Sequence, residues 1–183
     1  MDELRDPYGR RFKYLRLSVT EACNFSCSYC LPDGYKRAGC SESYLTRSEI
    51  RNLASGFCAL GVEKIRLTGG EPSVRRDLVN ICEDLSSLKG IKKIGLTTNG
   101  YQLPVLIKPL MDAGLHSLNV SIDSLDRKTF KKITGQDKLT TILRGLDFAM
   151  KEEIPSLKIN AVLLNGLNDH EFPIFLDFAK SRP

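Results

Sequence analysis

The sequence has 183 residues, 42% hydrophobic and 27% charged, with a formal net charge of +5. That length fits one domain, residues 1–183, with a sizeable core, and the composition excludes collagen-like, mucin-like and wholly disordered chains. The charge is too mild for a dedicated nucleic-acid binder, no apolar run approaches the roughly 18 residues of a membrane span, and the polar start, Met1 to Lys13, has no signal-peptide core, so a cytoplasmic protein is expected.

The first predicted strand is Tyr14–Val19, a short run with alternate apolar residues. Three closely spaced cysteines follow it directly. Thr46-Arg-Ser-Glu49 is a capping box, and the helix it opens should end at Gly61. Strand Lys64–Thr68, helix Arg76–Leu88, strand Lys92–Thr97 and helix Pro104–Ala113 come next, the helices closed by Gly90 and Gly114. Strand Leu118–Ile122 leads to a short helix, Asp126–Ile133, and a longer one, Lys138–Glu152. The run Arg127, Lys128, Lys131 and Lys132 reads as a solvated helix face and not as a nucleic-acid patch. The last strand is Leu157–Leu163, and Asp169 caps a final helix with Pro173 in its first turn.

Strands that alternate with helical crossovers imply a parallel sheet with right-handed connections. The fold class is therefore α/β, either a barrel-like arc or an open doubly wound sheet. A further strand is expected beside Leu157–Leu163, so the chain reads as truncated after its fifth β/α unit.

Parallel strands are normally apolar on both faces. These are not. Leu15, Leu17 and Val19 alternate with Arg16 and Ser18; Ile65 and Leu67 with Lys64, Arg66 and Thr68; Ile94 and Leu96 with Gly95 and Thr97; Leu118, Val120 and Ile122 with Asn119 and Ser121; Leu157, Ile159 and Ala161 with Lys158 and Asn160. Side chains change face with period two, so one face is apolar and the other polar and cationic. Arg16, Arg66 and Lys158 share that face with no carboxylate in their own strands. Buried unpaired charge is costly, so a polyanion such as a nucleoside triphosphate is expected there. The alternative is that Glu71 or Asp123, just past two strand ends, pairs with these cations.

Six cysteines are present, and three form Cys23-Asn-Phe-Ser-Cys27-Ser-Tyr-Cys30. This spacing in a chain without a secretion signal favours cluster chemistry over disulfides. Three thiolates on one loop can hold three irons of a four-iron cube, which leaves the fourth open to a small molecule; ordinary clusters use four cysteines. Structural zinc, the rival, needs a fourth ligand. The only histidines are His116 and His170, with His116 placed at the wrong end of a strand, and Cys40 stays undecided. Cys58 and Cys82 read as buried hydrophobes.

The cysteine loop, with an aromatic residue before its third cysteine, resembles the signature of the radical S-adenosylmethionine (SAM) superfamily. Thr68-Gly-Gly-Glu-Pro72, Thr97-Thr-Asn-Gly100 and Asn119-Val-Ser-Ile-Asp-Ser124 follow at successive strand ends and resemble that family's motifs. This implies a partial (β/α) barrel of the radical SAM type. Asp6–Thr20, Cys30-Leu-Pro-Asp-Gly34, Ile65–Pro72 and Ile133-Thr-Gly-Gln-Asp-Lys138 narrow the resemblance to the GTP 3′,8-cyclases of molybdenum cofactor biosynthesis. It implies a 4Fe-4S cluster with one open iron on Cys23, Cys27 and Cys30. It implies SAM contacts at Tyr29, Gly70 and Ser121, with Glu71 and Asn99 beside them, and GTP contacts at Arg16, Arg66, Thr97 and Lys158. It further implies lyase chemistry through a 5′-deoxyadenosyl radical, an external electron donor and a homodimer in the full-length proteins. That family also has a C-terminal region with a second three-cysteine cluster. Cys40, Cys58 and Cys82 do not match it, so these 183 residues are not expected to complete the cyclisation. Another radical SAM enzyme with a different substrate, or an inert iron–sulfur or zinc-binding fragment, are the alternatives.

Overall fold

The computed structural model describes residues 3–36 and 44–182; the question about Cys40 lies outside them. Five strands form one sheet: β1 (Tyr14–Ser18), β2 (Lys64–Thr68), β3 (Lys93–Thr98), β4 (Ser117–Ser121) and β5 (Leu157–Asn160). All pairs are parallel and the spatial order is the chain order, β1 to β5. A doubly wound sheet reverses its strand order at a switch point. This one has no reversal and does not close, so of the two expected architectures it is the barrel-like arc.

The crossovers are α1 (Arg47–Ala59), α2 (Leu78–Ser86), α3 (Leu103–Asp112), the pair α4 (Arg127–Thr134) and α5 (Leu139–Lys151), and α6 (Phe172–Lys180) after β5. The capping box forms as expected: Thr46 Oγ1 accepts from the Glu49 amide and Glu49 Oε2 accepts from the Thr46 amide at 2.7 Å. The apolar half of each strand lies under the helices. Leu17, Leu67, Leu96 and Leu118 stand in one register row and are all buried. Ile50, Ile81, Ile107 and Ile142 cover them from the helices. No described helix is long and apolar enough to cross a membrane.

Two boundaries depart from expectation. β5 stops at Asn160, short of Leu163, because side chains replace the ladder: the Val162 amide donates to Asp123 Oδ1 at 2.9 Å, and the Val162 carbonyl accepts from Asn168 Nδ2 at 2.9 Å. Asp169 does not cap α6. It begins a short 3-10 turn, Asp169–Glu171, and accepts from the Gly166 amide, while Glu171 occupies the cap position and Pro173 sits in the first helical turn.

On the far side of β5, Leu157 and Ile159 are only half-buried. With Phe172, Phe175 and Phe178 they line an apolar groove of about 500 Å³. A strand edge beside exposed apolar surface invites pairing. The 183-residue chain is expected to self-associate above micromolar concentration. A monodisperse monomer by light scattering at high concentration contradicts that expectation.

Candidate functional site

All five strands point the same way, so their carboxyl ends converge on one mouth. The cysteine loop leaves β1 there and is fastened from beneath. Phe25 is buried and meets the rings of Tyr101 and Phe130 edge-on, each at 6.3 Å. The Ser26 and Ser28 amides donate to the Thr134 and Ile133 carbonyls at 3.1 and 2.8 Å, so the loop rests on the last turn of α4. Gly135 ends that helix at φ 71°, a left-handed conformation glycine adopts without strain. A Cβ there would also stand 2.1 Å from Ser26 Oγ.

Two buried carboxylates brace the loop from the sheet. Glu71 accepts from the Ser73 amide, Thr98 Oγ1 and the Asn99 amide at 2.6–2.9 Å. Asn99 then donates through Nδ2 to Asn24 Oδ1 at 2.7 Å, between the first two cysteines. Asp123 accepts from the Tyr29 hydroxyl at 2.7 Å, between the second and third. Neither carboxylate pairs with Arg16, Arg66 or Lys158, which have no ion-pair partner among the described residues. The alternative explanation for the cations therefore does not hold.

Cys23 and Cys27 are half-buried and Cys30 is exposed; all three are free thiols. Burial pushes the Cys23 thiol up, and burial with the Asp123 charge pushes Cys27 up to about 12. The Cys30 amide donates to the Cys27 carbonyl at 2.9 Å, a turn that keeps the second and third cysteines together. Among the described residues no His, Asp or Glu side chain forms a metal-binding group with them. A mononuclear zinc needs its ligands about 2.3 Å from one point, whereas a cube spreads three thiolates over three irons. The donor set suits the cube, whose positive irons stabilise thiolates that are otherwise disfavoured. Burial, followed by the bond to Asp123, also holds the Tyr29 hydroxyl well above the usual phenol range.

The Gly69-Gly70 turn packs closely against main chain. A Cβ on Gly69 would meet the Thr20 carbonyl at 2.3 Å, and one on Gly70 the carbonyls of Glu21 and Ala22 at 2.4 Å. The Gly70 and Glu71 amides donate to the Thr20 and Ala22 carbonyls at 2.7 and 2.8 Å. The glycines thus let β2's extension run against the segment that enters the cysteine loop. The Glu71 carboxylate is turned into the protein with 1% of the residue exposed, and Asn99 spans Asn24 and the Tyr101 amide.

The polar face of the sheet lies below the mouth in rows. Arg16, Arg66, Gly95 and Ser117 form one row; Thr97, Asn119 and Lys158 the next; Ser121 and Asn160 the one nearest the loop. Successive rows are about 6.6 Å apart. Arg66 donates to the Tyr14 hydroxyl, the Leu96 carbonyl and Ser117 Oγ, each at 3.1 Å. Its guanidinium lies against Gly95, where a Cβ would stand 2.9 Å from its Cζ. The structure therefore brings Tyr29, Gly70 and Ser121 to the mouth and Arg16, Arg66, Thr97 and Lys158 to the polar face. The sequence reading missed Asn24 and the bracing role of Asp123. The signal for the latter was a carboxylate directly after Ile122, the last apolar residue of the predicted strand.

An open parallel β/α arc thus carries a three-cysteine loop at its mouth, above a polar face. The chain belongs to the radical SAM superfamily, whose family profile matches residues 17–179. It is 57% identical to a GTP 3′,8-cyclase of Tolumonas auensis over 98% of this chain and 53% of that protein. It is 52% identical to a GTP 3′,8-cyclase of Stenotrophomonas maltophilia over the whole chain and 56% of the relative. The chain thus spans about half the length of the curated relatives it matches. The fold is similar to Streptococcus suis SuiB bound to S-adenosylmethionine, with TM-score 0.76 and 18% identity over 92% of this chain and 38% of that one. It is also similar to anSMEcpe with bound AdoMet, with TM-score 0.72 and 17% identity over 93% and 48%.

Proposed function

We propose that these residues form the radical-generating and triphosphate-binding half of a GTP 3′,8-cyclase. The observation that carries the substrate is the polar face: three cations without carboxylate partners, set one to two rows below a cysteine loop. The similarity to proteins named GTP 3′,8-cyclase supports the same reading.

Cys23, Cys27 and Cys30 would hold a 4Fe-4S cluster with one open iron. When bound, that cluster would supply the electron for reductive cleavage of SAM, the source of the radical chemistry on GTP, with an external donor reducing it. Tyr29, Gly70 and Ser121 would line the SAM site, with Glu71 and Asn99 acting by fixing backbone and Asn24. Arg16, Arg66 and Lys158 would neutralise the triphosphate, and Thr97 would donate to it from the middle row. Five donors on a guanidinium, three already bonded, leave two of Arg66's N–H groups for phosphate. Anchoring the phosphates below the mouth holds the ribose where the radical forms. Completing the cyclisation would need the second three-cysteine cluster that the resemblance implies, and no described cysteine of this chain matches it.

GTP is expected to bind this chain with an affinity that falls as salt rises, and guanosine is expected to bind at least a hundredfold more weakly. Equal affinity for GTP and guanosine would remove the phosphate clamp from the account.

A further inference from the structure

We infer that Asp123 is a positioning residue for the SAM site, acting through the Tyr29 hydroxyl. The inference rests on the reading that the cysteine loop serves SAM.

Asp123 is 4% exposed and sits in a block with little freedom. Its Oδ1 accepts from the Val162 amide at 2.9 Å, and its own carbonyl accepts from Asn168 Nδ2. Asn168 is fully buried and also accepts from the Leu164 amide at 2.6 Å. Glu171, 1% exposed, accepts from Ser124 Oγ and the Leu125 amide at 2.6 and 2.8 Å. Three buried polar side chains thus lock the turn after β4 to the segment after β5. A satisfied buried network of this kind holds one geometry.

Asp123 Oδ2 is the one group of that block aimed at the cysteine loop. It takes the Tyr29 hydroxyl at 2.7 Å. Tyr29 itself is 45% exposed and has no ring-stacking partner among the described residues. The bond to Asp123 is the one hydrogen bond its side chain makes among the described residues. A carboxylate is suited to this task because both groups it meets are donors and it is acceptor-only. Asparagine keeps both contacts: Oδ1 accepts from Val162 and Nδ2 donates to the tyrosine oxygen. Alanine and Tyr29→Phe each remove the bond.

The protein is loaded anaerobically with iron and sulfide, and SAM affinity is read from the change SAM makes in the electron paramagnetic resonance spectrum of the reduced cluster. Iron per chain serves as the folding control. Tyr29→Phe and Asp123→Ala should keep four irons and each weaken SAM about tenfold, the low end for losing an outer-sphere partner. Asp123→Asn should stay within about twofold of wild type, and the double variant Tyr29→Phe/Asp123→Ala should be no weaker than either single one. If Asp123→Ala fails to load iron, Tyr29→Phe and Asp123→Asn decide. Unchanged affinity in Tyr29→Phe, a tenfold loss in Asp123→Asn, or additive losses in the double variant would overturn this inference alone. A wild-type cluster whose spectrum ignores SAM would overturn the underlying reading with it.

Discussion

Gly70→Ala is expected to lower SAM cleavage at least a hundredfold while leaving the helical content unchanged. The added Cβ would stand 2.4 Å from two main-chain carbonyls, those of Glu21 and Ala22. Neither is the flexible tip of a side chain, so the chain itself must move. Relief to an ordinary contact of about 3.4 Å needs a shift of roughly 1 Å in the residues just before Cys23. Misplacement of that size is enough to cost about a hundredfold in rate. Gly56 supplies the control. It lies exposed in α1 with nothing within 4 Å of its Cβ position. Gly56→Ala should be as active as wild type and more stable by about 0.5–1 kcal/mol, the usual helical gain. Near-wild-type 5′-deoxyadenosine formation by Gly70→Ala would show that the close approach at Thr20–Ala22 does not position the cysteines.

Arg66→Ala is expected to weaken GTP about a hundredfold, read by equilibrium dialysis. Removing one partner of a hydrogen-bonded charge pair costs about 2–5 kcal/mol, and the site has no carboxylate to relax toward. Lysine should not rescue it, because the fork that spans Tyr14, the Leu96 carbonyl and Ser117 is specific to a guanidinium. Gly95→Ala should mimic much of the loss without removing a charge. Its Cβ would stand 2.6 Å from Ser117 Oγ and 2.9 Å from the guanidinium, lifting Arg66 off the sheet. Unchanged GTP affinity in both variants would assign Arg66 a structural role only.

The strands were legible because the alternation in each is strict. Every predicted strand overlaps the observed one, and the polar residues it assigned to a common face stand in common register rows. Helix starts were legible where a side chain caps, as at Thr46 and Asp126, and less so at α2, where Asp77 makes no capping bond and the helix begins two residues later than expected. Long-range polar bonds were not legible. Nothing local indicates that Asp123 and Asn168 end β5 early, or that Glu71 reaches Thr98 and Asn99. For the same reason nothing local indicates that the glycines at 69 and 70 stand against the carbonyls of Thr20, Glu21 and Ala22. The three cysteines needed no long-range information, since their spacing alone keeps them on one loop.

The most direct test is to reconstitute the chain with iron and sulfide under anaerobic conditions, reduce it, add SAM and measure 5′-deoxyadenosine by chromatography. The account predicts its formation in wild type and its loss in Cys23→Ser, Cys27→Ser and Cys30→Ser alike. A chain that carries four irons and, once reduced, leaves SAM intact would contradict it.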